Sequence, residues 1–109
     1  MLWYSRSVSS ADIKKTIHEV VENDPKLKEE IERISLFGSQ ARGDATETSD
    51  VDLLVEFHPE AHVGLFRLCH IENLFADALR RPVDMATPRA LSKYIRDDIY
   101  KQLVPLYER

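Results

Sequence analysis

The stretch GSQARGDATETSDVD, residues 38–52, joins two strand-like runs and decides how the rest of the chain can be arranged. Before it lies the short strand-like run Ile34–Phe37, and after it lies Asp50–Phe57, whose odd positions are all apolar. Such alternation predicts a β-strand with one buried face. The chain has only three glycines, and two of them, Gly38 and Gly43, lie in this stretch. Their clustering predicts a loop with special backbone geometry, in which residues 40–43 form a brief helical turn that a glycine closes.

Helical patterns surround these two strands. The first predicted helix follows Ser10 and ends near Asn23, and Pro25 can begin a short second helix. A longer helix is predicted over residues 64–80, with Leu65 and Cys69 among the residues of its apolar stripe, and residues 83–85 form a short third strand. Thr87-Pro88 starts a last helix that continues to the end of the chain. This order predicts an α+β fold, an α/β sandwich in which a short mixed sheet is backed by helices.

Length and composition predict one domain that spans residues 1–109. The 12.6 kDa chain is 43% hydrophobic and 31% charged, which is typical of a folded soluble domain and excludes a disordered chain. Its apolar runs are far shorter than the ~20 residues that cross a bilayer, and its first residues lack the features of a signal peptide. The one cysteine, Cys69, cannot form an internal disulfide and is predicted to be a buried small hydrophobe. We therefore expect a reduced, cytoplasmic protein with no membrane contact.

The charge balance bears on the choice of partner. The formal net charge is -4, and the sequence pI is about 5.5. Domains that bind nucleic acid through its phosphates are usually basic, so nucleic acid is not expected as an obligate partner. A domain of this size buries only a modest core, which leaves apolar surface for a homo- or hetero-oligomer.

Three aspartates predict a metal site. Asp50 and Asp52 are two residues apart on a strand, so their side chains point to the same face about 6–7 Å apart. Two such carboxylates repel each other unless a cation lies between them, and carboxylate oxygens are ligands that Mg²⁺ prefers. Asp84 lies in the third predicted strand and reaches the same point if the two strands pair. Three acids of this kind can hold two metal ions about 3.5–4 Å apart for displacement at phosphorus.

The preceding turn supplies groups that suit a polyphosphate. Gly38 lets the backbone approach a phosphate closely, and the Ser39 hydroxyl can donate a hydrogen bond to a phosphate oxygen. Arg42 either binds a phosphate oxygen or anchors the loop by pairing with an acid. The stretch therefore predicts a phosphate-binding loop followed directly by a metal-binding strand.

These motifs carry a resemblance to a known family. Gly38-Ser39, ten residues and then Asp50-x-Asp52 resemble the signature of the DNA polymerase β-like nucleotidyltransferase superfamily. The longer string GSQARGDATETSDVDLLVEF and the tail, residues 83–109, are similar to its minimal nucleotidyltransferase (MNT) branch. The resemblance covers residues 34–109 and implies the polymerase β-like fold.

The resemblance also implies a chemistry for these residues. Asp50 and Asp52 would hold two Mg²⁺ ions, and Asp84 would hold the catalytic one and help to activate the acceptor oxygen. Gly38 and Ser39 would bind the β- and γ-phosphates of ATP. The implied reaction transfers AMP from ATP to an acceptor and releases pyrophosphate.

An isolated domain of this kind resembles the antitoxin of HEPN/MNT toxin–antitoxin pairs. The implied acceptor is then a tyrosine hydroxyl of the partner HEPN toxin, which the modification silences. The HEPN motif, Arg-x4-6-His-x-Tyr, is absent from this chain. Two alternatives remain open: a binding module that masks the toxin without catalysis, and a nucleotidyltransferase that acts on a small molecule or an RNA end.

Overall fold

The computed structural model describes residues 10–43, 45–46 and 49–109. Its elements, in chain order, are α1 (Ser10–Glu22), α2 (Pro25–Glu30), β1 (Ile31–Phe37), α3 (Ser39–Arg42), β2 (Val51–Phe57), α4 (Leu65–Leu79), β3 (Val83–Ala86), a 3₁₀ turn (Pro88–Ala90), α5 (Lys93–Lys101) and β4 (Val104–Glu108). The predicted α+β class, a short mixed sheet backed by helices, is confirmed. None of the helices in the described ranges is long and apolar enough to cross a membrane.

The sheet has four strands in the order β3-β2-β1-β4. β1 pairs antiparallel with both β2 and β4, whereas β2 and β3 run parallel. In this register Phe37 lies opposite Asp52, and Asp52 lies opposite Asp84. The end of β1 and the beginnings of β2 and β3 therefore lie side by side at the same end of the sheet.

The last part of the chain differs from the prediction. The predicted continuous helix is wrong, because α5 ends at Lys101 and residues 104–108 form the edge strand β4. Pro105 has no N–H and would interrupt a helix, but an edge strand tolerates it. Leu106 and Tyr107 are buried in this strand, and their burial outweighs the apolar repeat that favoured a helix. The helix also begins later than predicted, since the side chain of Ser92 accepts a hydrogen bond from the backbone N–H of Tyr94.

One apolar cluster joins α1 and α4 to the sheet. It contains alternate residues of β2, which leaves Asp52 on the opposite face of that strand. α4 contributes Ile71, Phe75 and Leu79. The prediction that Leu65 and Cys69 lie on the buried stripe is wrong: Leu65 is 71% exposed and Cys69 is an exposed free thiol. The buried stripe follows the spacing of residues 71, 75 and 79, and Cys69 lies away from it.

Two side-chain contacts secure the edges of this cluster. The backbone N–H of Met85, on edge strand β3, donates to Oε2 of Glu72 at 3.0 Å, which covers part of the open sheet edge. Arg67 of α4 donates from Nε to both carboxylate oxygens of Glu30 at 3.1 Å. Glu30 is buried, so its charge depends on this partner.

We expect Arg67→Met to lower the free energy of unfolding by about 2–3 kcal/mol, because it leaves the Glu30 carboxylate buried without its partner. Arg33→Met is the matched control. Arg33 pairs with Glu108 at 3.0 Å and with Glu56 at 3.5 Å, but its side chain is 45% exposed, so its loss should change the free energy of unfolding far less. Urea unfolding of both variants measures the difference. Equal costs would show that burial does not set the strength of these pairs.

Candidate active site

The turn after β1 has the geometry of a glycine-dependent loop. Gly38 has φ +75° and ψ −152°, a conformation that side-chain-bearing residues adopt only under strain. The single turn α3 follows, with the Arg42 N–H donating to the Gly38 carbonyl at 3.0 Å. Gly43 closes it in the left-handed conformation, and its N–H donates to the Ser39 carbonyl at 3.0 Å. The brief helical turn predicted here, closed by glycine, is confirmed.

Gly38 also lies directly against Asp52. A Cβ atom placed on Gly38 would overlap Oδ2 of Asp52 and would lie 3.1 Å from its Cγ. The sequence predicts that Gly38 lets a phosphate approach the backbone. The structure adds a second requirement, since only glycine leaves room for this carboxylate beside the turn.

The strands bring two of the predicted acids together. Asp52 and Asp84 are register partners on the parallel strands β2 and β3, and neighbouring strands lie about 4.8 Å apart. Side chains of such partners point to the same face. Asp52 is half-buried and Asp84 is exposed. Asp50 is exposed and lies in the segment that precedes Val51. The sheet therefore holds two carboxylates in place, and the preceding loop carries the third.

Asp52 is the electrostatic centre of this group. Its pKa is raised above the ordinary value of 3.8, first by burial and then by the negative charges of Asp84 and Asp50. The positive charge of Arg42 acts in the opposite direction. The raised pKa means that the surroundings of Asp52 disfavour its charged form, which a nearby cation would stabilise.

The donor set fits Mg²⁺ in its chemistry, because all three acids offer the hard oxygen ligands that this ion prefers. Within the described ranges, no three carboxylate, imidazole or thiol side chains are already gathered where they would hold an ion. Of the three acids, only Asp52 and Asp84 are held next to each other by strand pairing.

Arg42 and Gly38 share a partner that sequence reasoning missed. Oε1 of Gln102 accepts hydrogen bonds from the Gly38 N–H at 3.3 Å and from Nη1 of Arg42 at 3.5 Å. Gln102 lies between α5 and β4, inside the segment that the sequence pattern predicted as helix. No motif marks it, so only the folded chain reveals its contact with the turn.

A cavity of about 540 Å³ lies away from these groups. Its lining includes Val55, Phe57, Leu68 and Arg89, near the carboxyl end of β2. None of the predicted site residues lines it. The predicted residues instead lie at the opposite end of the same strand.

Comparison with known proteins identifies the family of the chain. Residues 15–109 match the family model described as Polymerase beta, Nucleotidyltransferase. The chain is 32% identical over 97 residues to a candidate protein adenylyltransferase of Methanocaldococcus jannaschii, MJ0126, covering 83% of this chain and 97% of the relative. It is also 32% identical over 74 residues to the protein adenylyltransferase MntA of Thermococcus cleftensis, covering 68% and 73% of the two chains.

Solved structures show the same fold. A candidate minimal nucleotidyltransferase superposes with a TM-score of 0.73 at 26% identity and covers 91% of this chain and 97% of its own. A complex of a tri-AMPylated HEPN toxin from Shewanella oneidensis with its MNT antitoxin gives a TM-score of 0.62 at 21% identity, covering 89% and 71%. A toxin–antitoxin structure with AMP-PNP gives 0.69 at 24% identity, covering 88% and 73%.

We expect Asp52→Asn to stabilise the protein at neutral pH. Folding raises the pKa of Asp52, so the folded state binds its proton more tightly and loses stability as the pH rises from 3.8 through the raised value. The variant lacks this loss, so it should unfold at higher urea concentration at pH 7, and its advantage should disappear below about pH 3. Asp77→Asn, at an exposed position of α4, controls for the change in net charge. A pH-independent difference would contradict the electrostatic explanation.

We expect Gly38→Ala to lower the free energy of unfolding by about 1–3 kcal/mol, because alanine is strained at this backbone conformation and overlaps the Asp52 carboxylate. Gly64→Ala is the control, since Gly64 has φ −85° and a Cβ there meets nothing within 4 Å. The control should cost less than Gly38→Ala, because it only replaces glycine with alanine at the N-cap of α4. Thermal melts of both variants test this, and equal shifts would argue against a special role of the Gly38 backbone.

Proposed function

Because the chain belongs to the Polymerase beta nucleotidyltransferase family, we propose that it is a protein adenylyltransferase that transfers AMP from ATP to a partner protein. We further propose that the partner is a HEPN toxin, that the acceptor is a tyrosine hydroxyl, and that the chain is the antitoxin. The observation that carries the enzymatic proposal is the register pairing of Asp52 with Asp84 beside the Gly38 turn. The similarity to MntA of Thermococcus cleftensis supports a protein as acceptor.

Each predicted site residue has a role in this reaction. Gly38 and Ser39 shape the turn that binds the β- and γ-phosphates of ATP, and the guanidinium of Arg42 adds positive charge beside them. Asp50 and Asp52 would hold two Mg²⁺ ions, and Asp84 would hold the one nearer the acceptor. When bound, Mg²⁺ would neutralise the negative charge that develops on the phosphates during transfer.

The transfer is a displacement at the α-phosphorus. The acceptor hydroxyl oxygen forms a bond to this phosphorus, while the bond from the phosphorus to the oxygen that bridges to the β-phosphate breaks. Pyrophosphate leaves with the electron pair of that bond. The carboxylate of Asp84, on the edge strand β3, accepts the proton of the hydroxyl.

The surface supports a protein partner. Phe66 is 91% exposed, Tyr94 is 83% exposed and Leu65 is 71% exposed. Leu65 and Phe66 are neighbours at the start of α4, and adjacent exposed apolar side chains of this size favour a surface that another chain covers. The same observation favours the alternative in which the chain masks a toxin without modifying it, so only a transfer assay separates the two. ATP as substrate and a free thiol both favour a cytoplasmic location.

We expect the chain to transfer label from [α-³²P]ATP, but none from [γ-³²P]ATP, to a HEPN protein encoded beside it, and to lose this activity in EDTA. Asp52→Asn and Asp84→Asn should each lower the rate by at least about a hundredfold, because each removes a ligand whose ion supplies several kcal/mol of charge stabilisation. Melting curves should show both variants folded.

The outcomes separate the candidate functions. Replacing the acceptor tyrosine of the HEPN protein with phenylalanine should abolish labelling, and label that persists would contradict a tyrosine acceptor. Inhibition of the toxin by the wild type and by Asp52→Asn alike, without label, would favour the masking module. Label on RNA or on a small molecule, with none on protein, would favour a different acceptor.

A further inference from the structure

Gln102 connects the α5–β4 corner to the turn that follows β1. We propose that Gln102 is a positioning residue that holds Gly38 and Arg42 in the geometry that receives the triphosphate of ATP. The nucleotide part of this proposal rests on the proposed function. The contact itself joins residues 64 positions apart in the sequence, and it ties together two segments that share no helix or strand.

The amide of Gln102 is bonded at both ends. Its Oε1 accepts from the Gly38 N–H at 3.3 Å and from Arg42 Nη1 at 3.5 Å, which are the two ends of the turn. Its Nε2 donates to the carbonyl of Asp98 at 3.3 Å, and its backbone N–H donates to the carbonyl of Ile99 at 3.1 Å. The end of α5 therefore orients the side-chain amide of Gln102. This amide bridges Gly38 and Arg42, the two ends of the predicted phosphate-binding loop.

The hydrogen bond to Gln102 limits how Gly38 can contribute to a phosphate site. Since its N–H donates to Gln102, the contribution of Gly38 to a phosphate site comes from its positive φ and its missing side chain. The same conformation leaves space for the Asp52 carboxylate. Loss of Gln102 would release the N–H that helps to maintain this conformation, next to the central acid of the site.

A neutral acceptor is suited to Arg42. A carboxylate at this position would pair with the guanidinium and cancel most of its charge. The amide oxygen of Gln102 instead accepts from Nη1 without adding a negative charge beside Arg42, so this contact itself does not oppose binding of an anion. This difference explains why the chemistry of glutamine, and not only its size, matters at the corner.

The test uses Gln102→Met, which keeps the length of the side chain and removes its hydrogen bonds. We expect kcat/KM for ATP to fall about tenfold, mainly through a higher KM, because two modest hydrogen bonds that shape the binding turn are lost. Asp98→Asn is the matched control, since Gln102 bonds to the main-chain carbonyl of Asp98 and not to its side chain. That variant should keep the wild-type KM.

A double-mutant cycle with Arg42→Met distinguishes positioning from general destabilisation. If Gln102 acts through Arg42, the KM effect of Gln102→Met should shrink to less than about threefold in the Arg42→Met background. Full additivity, with melting temperatures lowered in parallel, would overturn the assignment. A KM for Gln102→Met within twofold of the wild type would overturn it as well.

A second measurement needs no activity. Amide hydrogen exchange of Gly38 should be at least about fivefold faster in Gln102→Met than in the wild type, while the β2 amide of Leu53 should be unchanged. Unchanged exchange at Gly38 would overturn the positioning role. If the wild type transfers no AMP to any acceptor, the proposed function fails, and the exchange result alone then decides whether Gln102 holds the turn.

Discussion

The position of β2 between β1 and β3 is the constraint on which the site depends. Backbone hydrogen bonds on both sides of β2 hold Asp52 opposite Phe37 on one neighbour and opposite Asp84 on the other. A shift of one residue would turn Asp52 into the apolar cluster and would expose its buried neighbours. The burial of alternate β2 residues under α1 and α4 opposes that shift. Hydrophobic packing on one face of the sheet thus sets the position of the carboxylates on the other.

This arrangement has an electrostatic cost for the folded chain. Asp52 is half-buried beside two other acids, and its raised pKa records that its charge is disfavoured there. Arg42 offsets part of this repulsion, and the Gln102 amide orients Arg42 without neutralising it. Asp52, which the proposed reaction uses, is therefore also a residue that the fold accommodates at a loss of stability, as is common for catalytic groups.

The elements that were predicted correctly share one property, which is that nearby residues settle them. The α+β class and the glycine-closed turn follow from strand alternation and from Gly38 and Gly43. The prediction failed where distant contacts outweigh local pattern. The apolar repeat near the end of the chain favours a helix, but residues 104–108 pair with β1, which lies about 70 residues earlier. The prediction for Cys69 fails for a similar reason, because the helical spacing of apolar residues in α4 does not show which of them the rest of the fold covers.

The spacing of Gly38-Ser39 and Asp50-x-Asp52 was enough to identify the family and to predict a phosphate turn beside an acidic strand. Such a motif can be recognised in the sequence because the conformations of a turn and of the strand after it depend on neighbouring residues. The pairing of Asp84 with Asp52 and the contact of Gln102 with Gly38 follow different rules. They join residues 32 and 64 positions apart, and strand register and the path of the chain, which arise from burial of the whole core, bring them together.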